Sequence, residues 1–123
     1  MVLDNFNKVF ENKRILITGH TGFKGSWLSM WLDQLNADIT GLSLNQTEEF
    51  SHWEDIRLKN IKSNIGDIRD FEFTSNVLTK SDPEITFHLA AQPLVKKSYD
   101  YPLETWHTNV LGTANLLEIS RKL

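Results

Sequence analysis

One stretch of sequence decides the fold: residues 15–25, which read ILITGHTGFKG. It opens with an apolar run typical of a short buried strand, Ile15-Leu16-Ile17, and continues into three glycines spaced three residues apart. Over residues 23–35 apolar side chains recur at spacings of three and four, which is typical of an amphipathic helix. The stretch therefore predicts a strand, a glycine-rich turn and a helix in direct succession.

The spacing of the turn, G-x-x-G-x-x-G, suits a diphosphate group. One glycine allows backbone angles that side chains resist, a second lets the backbone approach the anion, and a third lets the helix pack closely on the strand. The helix N-terminus then presents free N–H groups to the negative charge. We therefore predict a dinucleotide-binding turn made of the glycines and the residues between them: Gly19, His20, Thr21, Gly22, Phe23, Lys24 and Gly25.

Two side chains in this turn leave alternatives open. His20 either touches phosphate or shapes the turn, and Lys24 either meets a phosphate or points to solvent. A phosphate loop of the Walker type is excluded, because Lys24 is preceded by Phe23 rather than Gly and followed by Gly25 rather than Ser or Thr.

The rest of the chain continues the alternation of strands and helices. Further strands are predicted at residues 38–42, 61–65 and 84–90, and further helices around residues 53–56, at 71–79 before a proline, and at 103–122, with 93–102 as a loop. This order predicts an α/β fold, a Rossmann-type doubly wound parallel sheet that stops after about four strands. Because such sheets normally continue to a fifth and sixth strand, we expect residues 1–123 to be the N-terminal portion of a dinucleotide-binding domain in a longer protein.

Composition narrows the classes of protein. The net charge is −3, which speaks against a nucleic-acid-binding protein, and the absence of cysteine excludes disulfide scaffolds and thiolate zinc sites in these residues. No apolar run approaches the roughly 18 residues that cross a bilayer, and the first residues resemble no secretory signal. We expect a cytoplasmic domain without a membrane partner.

Polar residues after the second and third strands are candidate ligands of a dinucleotide. The acid that often holds the ribose 2′-hydroxyl at the end of the second strand is absent, and Ser43 or Asn45 can bond either a hydroxyl or a phosphate. Asp67 follows the third strand, where a carboxylate either accepts from an adenine amino group or stabilises the next helix N-terminus.

Two helices carry apolar stripes with predicted partners. Trp27 and Trp31 are expected to pack against the sheet. In the last helix a main stripe and a neighbouring second stripe predict burial on two sides, either by more of the same chain or in a homo-oligomer. The main stripe contains Leu103, Trp106, Val110, Ala114 and Leu117, and the second contains Leu116, Ile119 and Leu123.

Four motifs, TGHTGFKG, GDIRD, FHLAAQ and NVLGTANLLE, together resemble the extended short-chain dehydrogenase/reductase superfamily. Within it, the longer run FHLAAQPLVKKSYDYPLETWHTNVLGT resembles CDP-glucose 4,6-dehydratases. The resemblance implies NAD as the cofactor and CDP-glucose as the nucleotide-sugar substrate. It also implies that Asp67 and Ile68 flank the adenine, that Asn109 supports the catalytic site, and that Leu89, Ala90, Ala91 and Gln92 line the nicotinamide-side ribose.

The chemistry implied by the resemblance is an internal redox dehydration that makes a 4-keto-6-deoxy sugar for bacterial surface polysaccharides such as the lipopolysaccharide O-antigen. The superfamily uses a Tyr-x-x-x-Lys pair. Here Tyr99 is followed four residues later by Leu103, and Tyr101 by Thr105. The pair is therefore absent from these residues, and we expect the chain alone to be inactive.

Overall fold

The computed structural model describes residue 6 and residues 8–45 and 51–123. Within them, four strands form one parallel sheet in the order β3-β2-β1-β4. The strands are β1 Arg14–Thr18, β2 Asp38–Ser43, β3 Lys62–Ile65 and β4 Ile85–His88. The helices are α1 Phe23–Gln34, α2 His52–Ile56, α3 Phe71–Ser81, α4 Val95–Asp100, α5 Pro102–Trp106 and α6 Gly112–Ser120, with a π-helical turn, His107–Leu111, joining α5 to α6.

Strand β1 lies at the centre of the sheet and divides the core into two layers. Its side chains alternate, so Ile15 and Ile17 face one layer and Leu16 faces the other. The first layer adds Leu32 from α1, and the second adds buried side chains from α3 and α6. Helices thus cover both faces, which confirms the predicted Rossmann-type doubly wound α/β fold.

Helix α3 begins and ends where local chemistry requires. The Asp70 carboxylate accepts a hydrogen bond from the Phe73 backbone N–H at 2.9 Å, which caps the N-terminus. At the other end Asp82 adopts a left-handed conformation, with φ of 40°, directly before Pro83. The helix predicted at residues 71–79 is confirmed as α3. The short helix predicted around residues 53–56 is confirmed as α2. The rest of the polar stretch between β2 and α2, residues 46–50, lies outside the described residues.

The prediction that Trp27 and Trp31 pack against the sheet is wrong. Their side chains are 48% and 51% exposed. Helix α1 instead turns a face of small residues with one leucine toward the sheet: Gly25, Ser26, Ser29 and Leu32. Small side chains let the helix approach the glycine turn closely, so the bulky indoles lie on the outer side.

The loop predicted between Pro93 and Pro102 contains helix α4. Its side chains are half-buried or exposed, so it has no apolar stripe that the sequence could reveal. An ion pair between Lys97 and Glu104, 2.8 Å long, ties α4 to α5.

The two stripes of the last helix lie in different surroundings. Leu116 and Ile119 of the second stripe are buried in the core, 4% and 3% exposed. The main stripe faces outward, with Trp106 64% and Leu117 65% exposed. Within the described residues the last helix is thus buried on one side, through Leu116 and Ile119, while Leu123 of the second stripe is 60% exposed. Burial of the other side, by more of the chain or in a homo-oligomer, stays a prediction. Among those residues no helix has the length and apolar character needed to span a membrane.

Candidate functional site

A cleft of about 550 Å³ opens at the carboxyl ends of the strands. The loops after all four strands line it, and it lies where the sheet order reverses between β1 and β4, the usual ligand site of open α/β sheets. Most of the predicted cofactor-binding residues meet here: Gly19, Thr21, Gly22, Phe23, Lys24, Gly25, Ser43, Asp67, Ile68, Leu89, Ala90 and Ala91. His20, Gln92 and Asn109 are not part of the lining.

Two of the three glycines in the turn have neighbouring backbone atoms so close that a side chain would not fit. Gly19 has φ of +76°, and a Cβ there would lie 2.8 Å from the Ala90 backbone nitrogen. A Cβ on Gly25 would collide with the Gly19 carbonyl oxygen. Around Gly22 a Cβ would meet only the Gly19 oxygen, at 3.3 Å, so this position is open toward the cleft.

The N-terminus of α1 is prepared for an anion. Gly22 is its N-cap and offers no side-chain cap, and the first turn holds no acidic residue. The first intrahelical bond is donated by the Ser26 N–H to the Gly22 carbonyl at 2.8 Å, so the N–H groups of residues 23–25 precede the ladder. These donors, the helix dipole and Lys24 on the cleft wall fit a diphosphate.

The loops after β2 and β3 form the second wall. The Ser43 and Thr21 hydroxyls are hydrogen-bonded at 2.7 Å, and the Gly66 N–H donates to the Ser43 carbonyl at 2.8 Å. Arg69 donates to both oxygens of the Asp67 carboxylate. This contact lowers the pKa of Asp67, which keeps the carboxylate ionised as a hydrogen-bond acceptor on the cleft wall.

Asn109 holds the loop after β4 from behind. Its Oδ1 accepts from the Gln92 N–H at 2.8 Å, and its Nδ2 donates to the Gln92 carbonyl at 3.2 Å. Asn109 lies in the π-helical turn, a distortion often found at functional sites. Gln92 and Asn109 thus support the loop after β4 without lining the cleft themselves.

His20 points away from the cleft. Its Nε2 lies 2.7 Å from the Ser63 hydroxyl and its ring packs edge-on against Trp53 at 4.7 Å. Burial lowers the pKa of His20 to about 4, against the opposite influence of the Leu42 backbone. The sequence leaves two roles open for His20, contact with a phosphate or shaping of the turn. This geometry agrees with the second role.

Several lining residues were missed or only partly foreseen. Asn45 is a candidate ligand beside Ser43 in the sequence, whereas no ligand role is predicted for the others: Leu42, Leu44, Gly66, Pro93 and Thr108. For Leu44 and Gly66 the position directly after a strand was the available signal, since the loops at the carboxyl ends of parallel strands meet at one edge. Thr108 belongs to the π-helical turn and had no such signal.

A glycine turn at the reversal point of a parallel sheet defines the nucleotide-binding class of Rossmann-type α/β proteins. The comparisons agree: the family model described as GDP-mannose 4,6 dehydratase matches residues 16–123, and the chain belongs to this family. The resemblance to extended short-chain dehydrogenases/reductases is confirmed.

Several similar proteins are named as sugar-nucleotide dehydratases or as epimerases. The chain is 48% identical to the CDP-glucose 4,6-dehydratase of Salmonella typhimurium over 100% of its own length and 34% of that protein. It superposes on epimerase Mth375 of Methanothermobacter thermautotrophicus with a TM-score of 0.86 at 31% identity, covering 99% of this chain and 35% of that one. It also superposes on the UDP-glucose 4-epimerase of Thermus thermophilus, solved in complex with NAD, with a TM-score of 0.79 at 30% identity. That superposition covers 88% of this chain and 33% of the other. The chain thus spans about a third of the length of these relatives.

Proposed function

We propose that this chain is the cofactor-binding N-terminal portion of an NAD-dependent sugar-nucleotide 4,6-dehydratase that acts on CDP-glucose. The observation that carries the proposal is the N-terminus of α1 after the glycine turn, which no side chain caps, because a cleft that leaves these N–H donors open suits a diphosphate. The 48% identity to a CDP-glucose 4,6-dehydratase over the whole chain supports the substrate.

The proposed dinucleotide lies across the cleft. Its diphosphate faces Gly22 and the first turn of α1, with Lys24 as a counter-charge. The adenine lies beside Asp67 and Ile68, whose carboxylate and apolar side chain suit an amino group and a flat ring. The nicotinamide-side ribose lies against Ala90 and its neighbours after β4.

NAD is proposed over NADP on the charge at the end of β2. A 2′-phosphate needs a cationic partner there, and Ser43, Leu44 and Asn45, the described residues at this strand end, are uncharged. Ser43 is a neutral hydroxyl that suits a ribose hydroxyl. The Thermus thermophilus relative was solved with NAD.

The chemistry divides between this chain and the rest of the proposed protein. Bound NAD supplies a hydride acceptor and donor for the internal redox dehydration. This chain's residues bind and orient it: the glycine turn fixes the diphosphate, and Asn109 fixes the Gln92 backbone behind the nicotinamide side. The Tyr-x-x-x-Lys pair for proton transfer belongs, in this proposal, to residues beyond Leu123.

There are two alternative functions. One is an epimerase or reductase of the same superfamily, and the other is a dinucleotide-binding sensor that catalyses no reaction. The names of relatives favour an enzyme, since they include both dehydratases and epimerases.

The deciding experiment incubates the full-length protein with CDP-glucose and NAD and identifies the product by NMR. A CDP-4-keto-6-deoxy sugar is expected. Formation of an epimerised CDP-hexose would show that the protein is an epimerase and not a dehydratase. NAD binding without turnover of CDP-, UDP- or TDP-glucose would favour the sensor.

We also propose a homo-oligomer that covers the outward stripe of the last helix. Trp106 and Leu117 are exposed there along with Leu103, 73% exposed, which is an unusual concentration of apolar surface. The expected cytoplasmic location and the role in surface polysaccharide synthesis stay predictions.

A further inference from the structure

A chain of hydrogen bonds runs through the sheet behind the cleft, centred on His88. The Thr18 hydroxyl lies 2.6 Å from His88 Nδ1, and His88 Nε2 lies 2.8 Å from the Thr113 hydroxyl. Thr18 and His88 are partners in the register of β1 and β4, while Thr113 belongs to α6. The imidazole thus joins the central strand to the last helix.

The end of the chain at Thr18 fixes the direction of one proton. The Thr18 Oγ1 accepts from the Ala90 backbone N–H at 3.2 Å and from the Leu89 N–H at 3.1 Å, which it shares with the Thr18 carbonyl oxygen at 3.0 Å. Both of its lone pairs are then engaged, and a backbone N–H cannot accept a hydrogen bond. The Thr18 hydroxyl therefore donates to His88 Nδ1, which must carry no proton.

The end at Thr113 fixes the other nitrogen independently. The Thr113 hydroxyl donates to the Asn109 carbonyl at 2.7 Å. Its proton is thereby used, so toward His88 the oxygen acts as acceptor, and His88 Nε2 must carry the proton. Both ends require the same neutral form of the ring. Burial lowers the pKa of His88, which favours that neutral form.

We propose that His88 is a positioning residue for the nicotinamide side of the cleft, locked as the neutral Nε2–H tautomer by hydroxyls on both sides of its ring. The proposal rests on the proposed function for the identity of the ligand. Through Thr18 the ring orders the Leu89 and Ala90 backbone that lines the cleft, and through Thr113 it joins the π-helical turn whose Asn109 holds Gln92. One imidazole therefore couples both supports of the loop after β4.

The test reads the tautomer directly, without any ligand. A two-bond ¹H–¹⁵N correlation spectrum of the labelled full-length protein separates Nδ1–H, Nε2–H and imidazolium rings, and the signal missing in a His88→Asn variant identifies His88. We expect the Nε2–H pattern at neutral pH. An Nδ1–H pattern, a mixture or an imidazolium would overturn the proposal.

The second part measures NAD affinity in a matched pair of variants. Thr113→Val keeps the shape but removes the hydroxyl that joins the ring to α6, so we expect about tenfold weaker NAD binding, the effect of one lost hydrogen bond. The Nε2–H pattern should remain in this variant, because Thr18 still donates to His88 Nδ1. Thr113→Ser restores the hydroxyl and should restore the affinity. Equal affinity in Thr113→Val would overturn the positioning role. If the unmodified protein bound no NAD but showed the Nε2–H ring, the proposed function would fail while the locked tautomer stood.

Discussion

The stability of this fold should depend on pH through one buried ring. The His20 side chain is 0% exposed and lies between Ser63 and Trp53, and burial lowers its pKa from 6.5 to about 4. An unfolded chain binds a proton on this residue near pH 6.5, whereas the folded chain does not until about pH 4. Between these values the unfolded state binds more protons, so stability falls as the pH decreases.

The size of the effect follows from the two pKa values. At 1.36 kcal/mol per pKa unit, His20 should remove about 2 kcal/mol of unfolding free energy by pH 5 and about 3 kcal/mol by pH 4, relative to neutral pH. That is a large share of a small domain's stability.

The assay is urea unfolding followed by tryptophan fluorescence, at pH values from 7.5 to 5, for the original chain and for His20→Gln. Glutamine is neutral throughout and keeps a polar atom for Ser63. Other titrating groups, His88 included, are present in both proteins and cancel in the difference. The stability advantage of the original chain over His20→Gln should shrink by about 2 kcal/mol across this range. The same pH dependence in both proteins would refute the burial argument.

Further predictions concern the cleft and the outer helix face. Gly25→Ala should destabilise the fold by about 2 kcal/mol or more, since its Cβ collides with a carbonyl oxygen, whereas Gly22→Ala should fold normally, as thermal unfolding will show. Gly22→Val should fold yet bind NAD at least tenfold more weakly by calorimetry; unchanged affinity would remove the turn from the site. Asn109→Leu should weaken NAD binding without unfolding the protein, because two hydrogen bonds to Gln92 are lost, and a matched affinity would argue against that support. Trp106→Glu should reduce self-association in sedimentation velocity, and an unaltered distribution would place any interface elsewhere.

The sequence revealed the fold because its periodicities match the packing. The apolar run before Gly19 is the central strand, and the residues after each predicted strand meet in one cleft, as parallel topology requires. Local caps such as Asp70 set helix ends within a few residues, so the extent of α3 was readable as well.

The remaining features depend on partners that are distant along the chain. His20 bonds a residue 43 positions away and Thr18 one 70 positions away, and no local pattern announces either contact. Apolar spacing identified α1 as a helix but did not reveal which side faces the sheet. Close approach at the glycine turn favoured Ser26 and Ser29 over the tryptophans, a choice made by tertiary packing.

The order of the strands in the sheet has a consequence for synthesis on the ribosome. Strand β1 is made first but needs a neighbour on each side, and one of these, β4, is made last of the four. The nascent chain can therefore pair β1 with β2 and β3 early, while the Ala90 side of the glycine turn stays empty. Until β4 docks, the other edge of β1 is open to wrong pairing. Capacity to hold a nucleotide should consequently emerge late and abruptly during translation, when the chain past Ala90 leaves the exit tunnel.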